Sequence, residues 1–150
     1  MSLLNAKIAA ARKRWGVTIF YLDSNSLYYF PEKIEGLPHA FSWHWDPEML
    51  RQVTEAHPDV LIVPEHKGFQ TYAYGAAYVQ TNYHKYASTP AHVRREYPGA
   101  FSVIQAGGTT DERRGELVQA VRDGDILFFD AWYPSSTNKA VKEIYAEAAK

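Results

Sequence analysis

The sequence contains no cysteine. That excludes disulfides, thiolate metal sites and a cysteine nucleophile, and it is compatible with any compartment. Positive charge is not in excess either. A formal net charge of −1 supplies nothing to neutralise a phosphate backbone, so nucleic acid is not an expected partner. No run of about 18 apolar residues occurs, so no helix is expected to cross a membrane. The N-terminal stretch LLNAKIAAARKRWG carries its charges after its apolar part, the reverse of a secretory signal. Metal-binding spacings of the HxH or HExxH kind are missing. His39, His44, His66 and Asp46 come nearest to a ligand group, and no metal or other cofactor is expected. The Gly107-Gly108-Thr109-Thr110 turn does not read as a phosphate cradle, because Asp111 and Glu112 follow it and repel an anion.

What is present is a globular composition. The 150 residues are 46% hydrophobic and 22% charged, the size of one domain with a real core. Four stretches share one pattern, an oily run ending in a polar tip: VTIFYLDSN (17–25), DVLIVPEH (59–66), AFSVIQAGG (100–108) and DILFFDAW (125–132). Helical patterns lie between them. Residues 3–14 place Leu4, Ile8, Ala11 and Trp15 on one stripe, with Arg12, Lys13 and Arg14 at the negative end of the dipole and Gly16 as the stop. Asp46-Pro47 opens a second helix, Thr89-Pro90 a third, and Thr109 with Glu112 fits a capping box for a fourth. Ser135, Ser136 or Thr137 caps the last.

Two long connections, 26–45 and 66–88, carry twelve aromatic side chains, including Tyr29, Trp43, Trp45, Tyr72 and Tyr74. Part of the second, YAYGAAYVQ, reads as helical. Connections this long inside a compact domain tend to be functional.

Strands alternating with helices imply a parallel α/β sheet, with strands covered on both faces. Sites in such sheets lie at the carboxyl ends of the strands, where Asp23, Glu65, Gln105 and Asp130 stand. Alternation along a strand puts each of these tips on one face, above Ile19, Tyr21, Leu61, Val63, Phe101, Val103, Ile126 and Phe128. Left wet, those eight forfeit about 12 kcal/mol at roughly 1.5 kcal/mol each, comparable to a domain's net stability. The expected fold is therefore four parallel βα units forming half of a TIM (β/α)8 barrel, in a single domain over 1–150. Its open face is to be closed by a second copy or by the other half of the barrel; the chain opens on a helix, as a cut through a longer barrel would leave it. The alternative is a flavodoxin-like three-layer sheet with helices on both faces.

The runs RWGVTIFYLDSN, PDVLIVPEH and GDILFFDAW resemble the later half of a TIM-barrel glycoside hydrolase. The acids on strands n, n+1 and n+3 are similar in placement to those of α-amylase-like barrels, although Tyr21 stands where that pattern has Arg and Phe129 where it has His. The resemblance implies Asp23 as nucleophile, Glu65 as general acid/base and Asp130 as a ligand of substrate hydroxyls. It also implies carbohydrate as partner. Asn25, Tyr29, Trp43, Trp45, His66, Tyr72, Tyr74, Gln105, Trp132 and Tyr133 are then the substrate-binding candidates, since flat apolar faces with polar edges suit sugars. A non-catalytic carbohydrate-binding domain with the same aromatic rim and a flavodoxin-like regulatory domain are the competing expectations.

Overall fold

The computed structural model describes residues 2–23, 47–65, 69–81, 88–107, 110–128 and 135–150. Along the chain come α1 (Ser2–Trp15), β1 (Ile19–Leu22), α2 (Pro47–Ala56), β2 (Leu61–Pro64), a 3-10 turn (Phe69–Ala73), β3 (Ala77–Gln80), α3 (Ala91–Glu96), β4 (Ser102–Gln105), α4 (Arg114–Arg122), β5 (Ile126–Phe128) and α5 (Ser135–Ala148). All pairings are parallel. β1 pairs β2 with Ile19 opposite Leu61 and Leu22 opposite Pro64. β3 pairs β4, and β4 pairs β5, with Tyr78, Val103 and Ile126 in one row.

The strands form a two-stranded and a three-stranded sheet, and Pro64 accounts for the division. Leu61 N–H donates to Thr18 O and Glu65 N–H to Leu22 O, so odd-numbered residues of β2 bond toward β1. The even-numbered ones face β3, where Ile62 O accepts from Ala76 N–H at 3.0 Å. The next group on that edge is Pro64, which has no N–H to give, and the ladder stops. Gly75 lets the two strands meet there: a Cβ at this position would lie 2.5 Å from Ile62 O.

The helices occupy one face. Ile8 of α1 and Leu50 and Val53 of α2 pack on Phe20, Leu22 and Ile62. α4 and α5 bring Leu117, Val118, Val141 and Ile144 onto Val79, Ile104 and Leu127. Val93 of α3 packs with Ala77, Ala100 and Tyr72. The opposite face carries Leu61, Val63, Ala76, Tyr78, Phe101 and Val103 as one cluster spanning both sheets. The helical layer that a flavodoxin-like fold adds on this second face is not found among the described residues. At its two margins the face is open: Ile19 is 56% exposed and Tyr21 46% on β1, Ile126 42% and Phe128 52% on β5.

The turns at the amino ends of the strands are short and bonded. Gly16 adopts φ 66 and returns its N–H to Arg12 O, an αL helix stop. His57-Pro58-Asp59-Val60 and Tyr97-Pro98-Gly99-Ala100 make the same turn twice, Val60 N–H donating to His57 O at 3.0 Å and Ala100 N–H to Tyr97 O at 2.9 Å.

Four expectations need correction. The described strands number five, not four. YAYGAAYVQ, expected to be helical, ends in β3, because Ala77 and Val79 are buried while Tyr78 and Gln80 alternate to the other face. Trp15 lies off the buried stripe of α1, 65% exposed, with the Arg14 guanidinium 5.0 Å over its ring. The Thr109–Glu112 capping box does not begin α4: Asp111 to Arg113 form a turn, and the helix follows Arg113 without a side-chain cap.

Candidate functional site

The carboxyl ends of the strands share one rim. Leu22 and Pro64 are register partners, and the Glu65 N–H bond to Leu22 O, 3.1 Å, carries the ladder one step further. Asp23 and Glu65 therefore follow neighbouring positions on adjacent strands. Both have the parity of Tyr21 and Val63, which is that of the helix-free face. Asp23 is exposed and Glu65 half-buried.

Tyr21 connects this pair to the rest of the rim. Its hydroxyl donates to the Glu65 carboxylate, and its pKa is pushed well above the usual phenol value. Partial burial is the largest cause, followed by the negative charge of Glu65, the Tyr78 phenol and the charge of Asp23. Tyr21 therefore stays protonated and acts as a donor. Its ring meets that of Tyr78, and the Tyr78 hydroxyl donates to Gln105 Oε1. Gln80, Gln105 and Phe128 form one row at the ends of β3, β4 and β5. A belt Asp23/Glu65–Tyr21–Tyr78–Gln105 thus crosses four strands. It offers two carboxylates for proton transfer or attack, a hydroxyl that orients one of them, and amide groups suited to hydroxyl ligands.

Tyr72 and Tyr74 do not join this rim. Both precede β3. Tyr72 is buried on the helix side, its hydroxyl 3.1 Å from Ser102 Oγ, at the amino end of β4. Tyr74 packs with the α1/α2 cluster, and its carbonyl accepts from Thr54 Oγ1. Asp130, Asn25, Tyr29, Trp43, Trp45, His66, Trp132 and Tyr133 lie outside the described residues, as do His39, His44 and Asp46. Among the described residues no group of three or more His, Cys, Asp or Glu side chains can hold a metal.

Two residues of the belt were not legible as such. Tyr21 counts in the sequence as part of an apolar layer, and Tyr78 sits in a stretch that reads as helix. The period-two alternation of Ala77, Tyr78, Val79 and Gln80 was the available signal.

A second polar cluster stands at the opposite, amino ends. Buried Asp125 accepts from Thr89 N–H at 2.9 Å, Thr89 Oγ1 at 2.6 Å and Ser102 N–H at 2.8 Å, and pairs with Arg94 at 2.8 Å. Each carboxylate oxygen is engaged, so this cluster is a staple tying α3, β4 and β5.

Comparison of the chain with protein families, with curated proteins and with solved structures returned no match.

Proposed function

We propose that this chain is a carbohydrate-active domain of the glycoside-hydrolase kind, built as part of a (βα) barrel wall, with Asp23 as nucleophile or base and Glu65 as general acid. The observation that carries the reading is the adjacency of Asp23 and Glu65 at the ends of two paired parallel strands. Strands in that relation are about 4.8 Å apart, near the roughly 5 Å between carboxyl groups in retaining glycosidases. The Tyr21 hydroxyl, bonded to Glu65 and acted on by both charges, supports the same pairing. In this reading Asp130 holds substrate hydroxyls.

The barrel-wall reading is supported by strand order. Five parallel strands follow one another in sequence order within and across the two sheets, without the reversal of order that marks a doubly wound sheet. The helices lie on one face and large apolar side chains on the other, as in a barrel wall. The large apolar side chains exposed at Ile19 and Phe128 belong to the face that the rest of a barrel would cover.

Hydrolysis of aryl glycosides and oligosaccharides by the full chain, with Asp23→Asn and Glu65→Gln beside it, tests the reading. General acid/base groups contribute on the order of 10²–10⁴-fold, so each substitution is expected to cost about that much in kcat while sugar binding persists. Turnover undiminished in both variants sinks the two-acid mechanism. Sugar binding without turnover in the parent chain makes the domain a binding module instead.

A further inference from the structure

The two margins of the strand array differ in a way that bears on partners. At β5 the Tyr145 hydroxyl accepts from Leu127 N–H at 2.7 Å and donates to Leu127 O at 3.2 Å. One side chain of α5 thus occupies the outward backbone groups of that edge, a common protection of an edge strand. At β1 the carbonyls of Thr18 and Leu22 turn to β2, so the N–H and C=O of Ile19 and Tyr21 turn outward. No described group bonds them. Beside this edge a groove of about 500 Å³ runs between β1 and α1, floored by Leu4, Ile8, Phe20 and Leu22 and flanked by Lys7 and Arg14.

We propose that the β1 edge is a strand-addition site for an extended segment carrying the pattern acid–x–apolar–x–acid. Lys7 and Arg14 are seven residues apart on α1, about 10 Å along its axis. An extended chain covers that distance in about three to four residues. Side chains at i, i+2 and i+4 of a strand share a face, so two acids four apart reach the two cations while the apolar residue between them fills the groove. The backbone of the added strand bonds Ile19 and Tyr21, which supplies affinity, and the groove and cations supply selectivity.

The charges of α1 decide the occupant. The helix carries Lys7, Arg12, Lys13 and Arg14 and no acidic residue, and of these Arg12 is paired with Asp59. A second copy docking its own β1 across a two-fold axis would bring two basic helices together. An acidic segment is attracted by the same charges.

The probe is the acetylated, amidated peptide Thr-Glu-Val-Leu-Val-Glu-Thr, compared with its counterpart in which lysine replaces both glutamates. Amide hydrogen exchange in the isotope-labelled full chain is the readout. The glutamate peptide is expected to slow exchange at Ile19 and Tyr21 by about tenfold or more and to leave Leu127 unchanged. Added salt weakens the effect, and Lys7→Glu with Arg14→Glu transfers it to the lysine peptide. Equal binding of both peptides, or exchange at Ile19 and Tyr21 that neither alters, overturns the proposal. So does concentration-dependent protection of those amides in the peptide-free chain, which makes a second copy the occupant. This test is independent of any glycosidase activity.

Discussion

The rings of Tyr21 and Tyr78 lie 4.9 Å apart and tilted by 59°, although β2 runs between their strands. Strands one removed from each other are about 9.6 Å apart, so the two side chains converge over Val63 and the helix-free face is concave at this point. An aromatic pair of this geometry is worth about 0.5–1.5 kcal/mol beyond its burial. A double-mutant cycle of Tyr21→Leu and Tyr78→Leu is expected to return a coupling of that size in urea unfolding. Strict additivity would mean that the rings do not support each other.

Three tyrosines make the fold sensitive to alkali. Burial is the leading cause of the upward pKa shift at Tyr21, Tyr72 and Tyr145, reinforced at Tyr21 by Glu65 and Asp23 and at Tyr72 by Asp125. In the unfolded chain these phenols ionise near 10.0. Below that value both states keep their protons and stability is level. Above it the unfolded state loses protons that the native state retains, so stability falls as pH rises toward the raised native values. Melting temperature is expected to decline from pH 10 upward in the parent, and less steeply in Tyr21→Phe.

Asp125 is expected to be the most costly carboxylate to remove. Asp125→Ala strands the Thr89 and Ser102 N–H groups and leaves the largely buried Arg94 guanidinium without its partner. Breaking a buried pair from one side costs about 3–5 kcal/mol. Chemical denaturation checks it, with Asp123→Ala, an exposed neighbour, as the silent comparison.

Gly75→Ala tests the junction of the two sheets. The new methyl would lie 2.5 Å from Ile62 O, a backbone atom that moves only with β2. Overpacking of this kind costs about 1–3 kcal/mol. The expected loss is accompanied by faster exchange of the Ala76 amide, whose bond to Ile62 O joins the sheets.

How far the sequence revealed this arrangement depends on the range of the interaction concerned. The shared parity of Asp23 with Tyr21 and of Glu65 with Val63 was legible because alternation is a property of each strand by itself. The parallel pairing followed from helices set between strands. β3 was hidden because Tyr74 and Tyr78 stand four residues apart, a spacing that a helix also satisfies, and the close approach that Gly75 permits concerns a strand elsewhere in the sequence. Pro64 was recognisable as a strand end. Its effect on β2–β3 pairing depends on which edge its nitrogen faces, and that requires the register. Tyr145 reads as one more apolar position of α5; its role at Leu127 is tertiary. Trp15 fits the helical stripe by spacing, yet at the last turn of α1 it stands exposed beneath the Arg14 guanidinium, which spacing alone does not reveal.

The twin Pro-turns after α2 and α3 have a consequence for how such a domain diversifies. They fasten the end of the sheets remote from Asp23 and Glu65, while connection 24–46 starts directly after Asp23 at the acidic end. Loop closure grows costlier only slowly with length, about 0.6 kcal/mol per doubling. Grafting a longer or shorter segment there therefore leaves the fastened end untouched, and the acidic end can be reshaped by insertion while the scaffold is inherited unchanged.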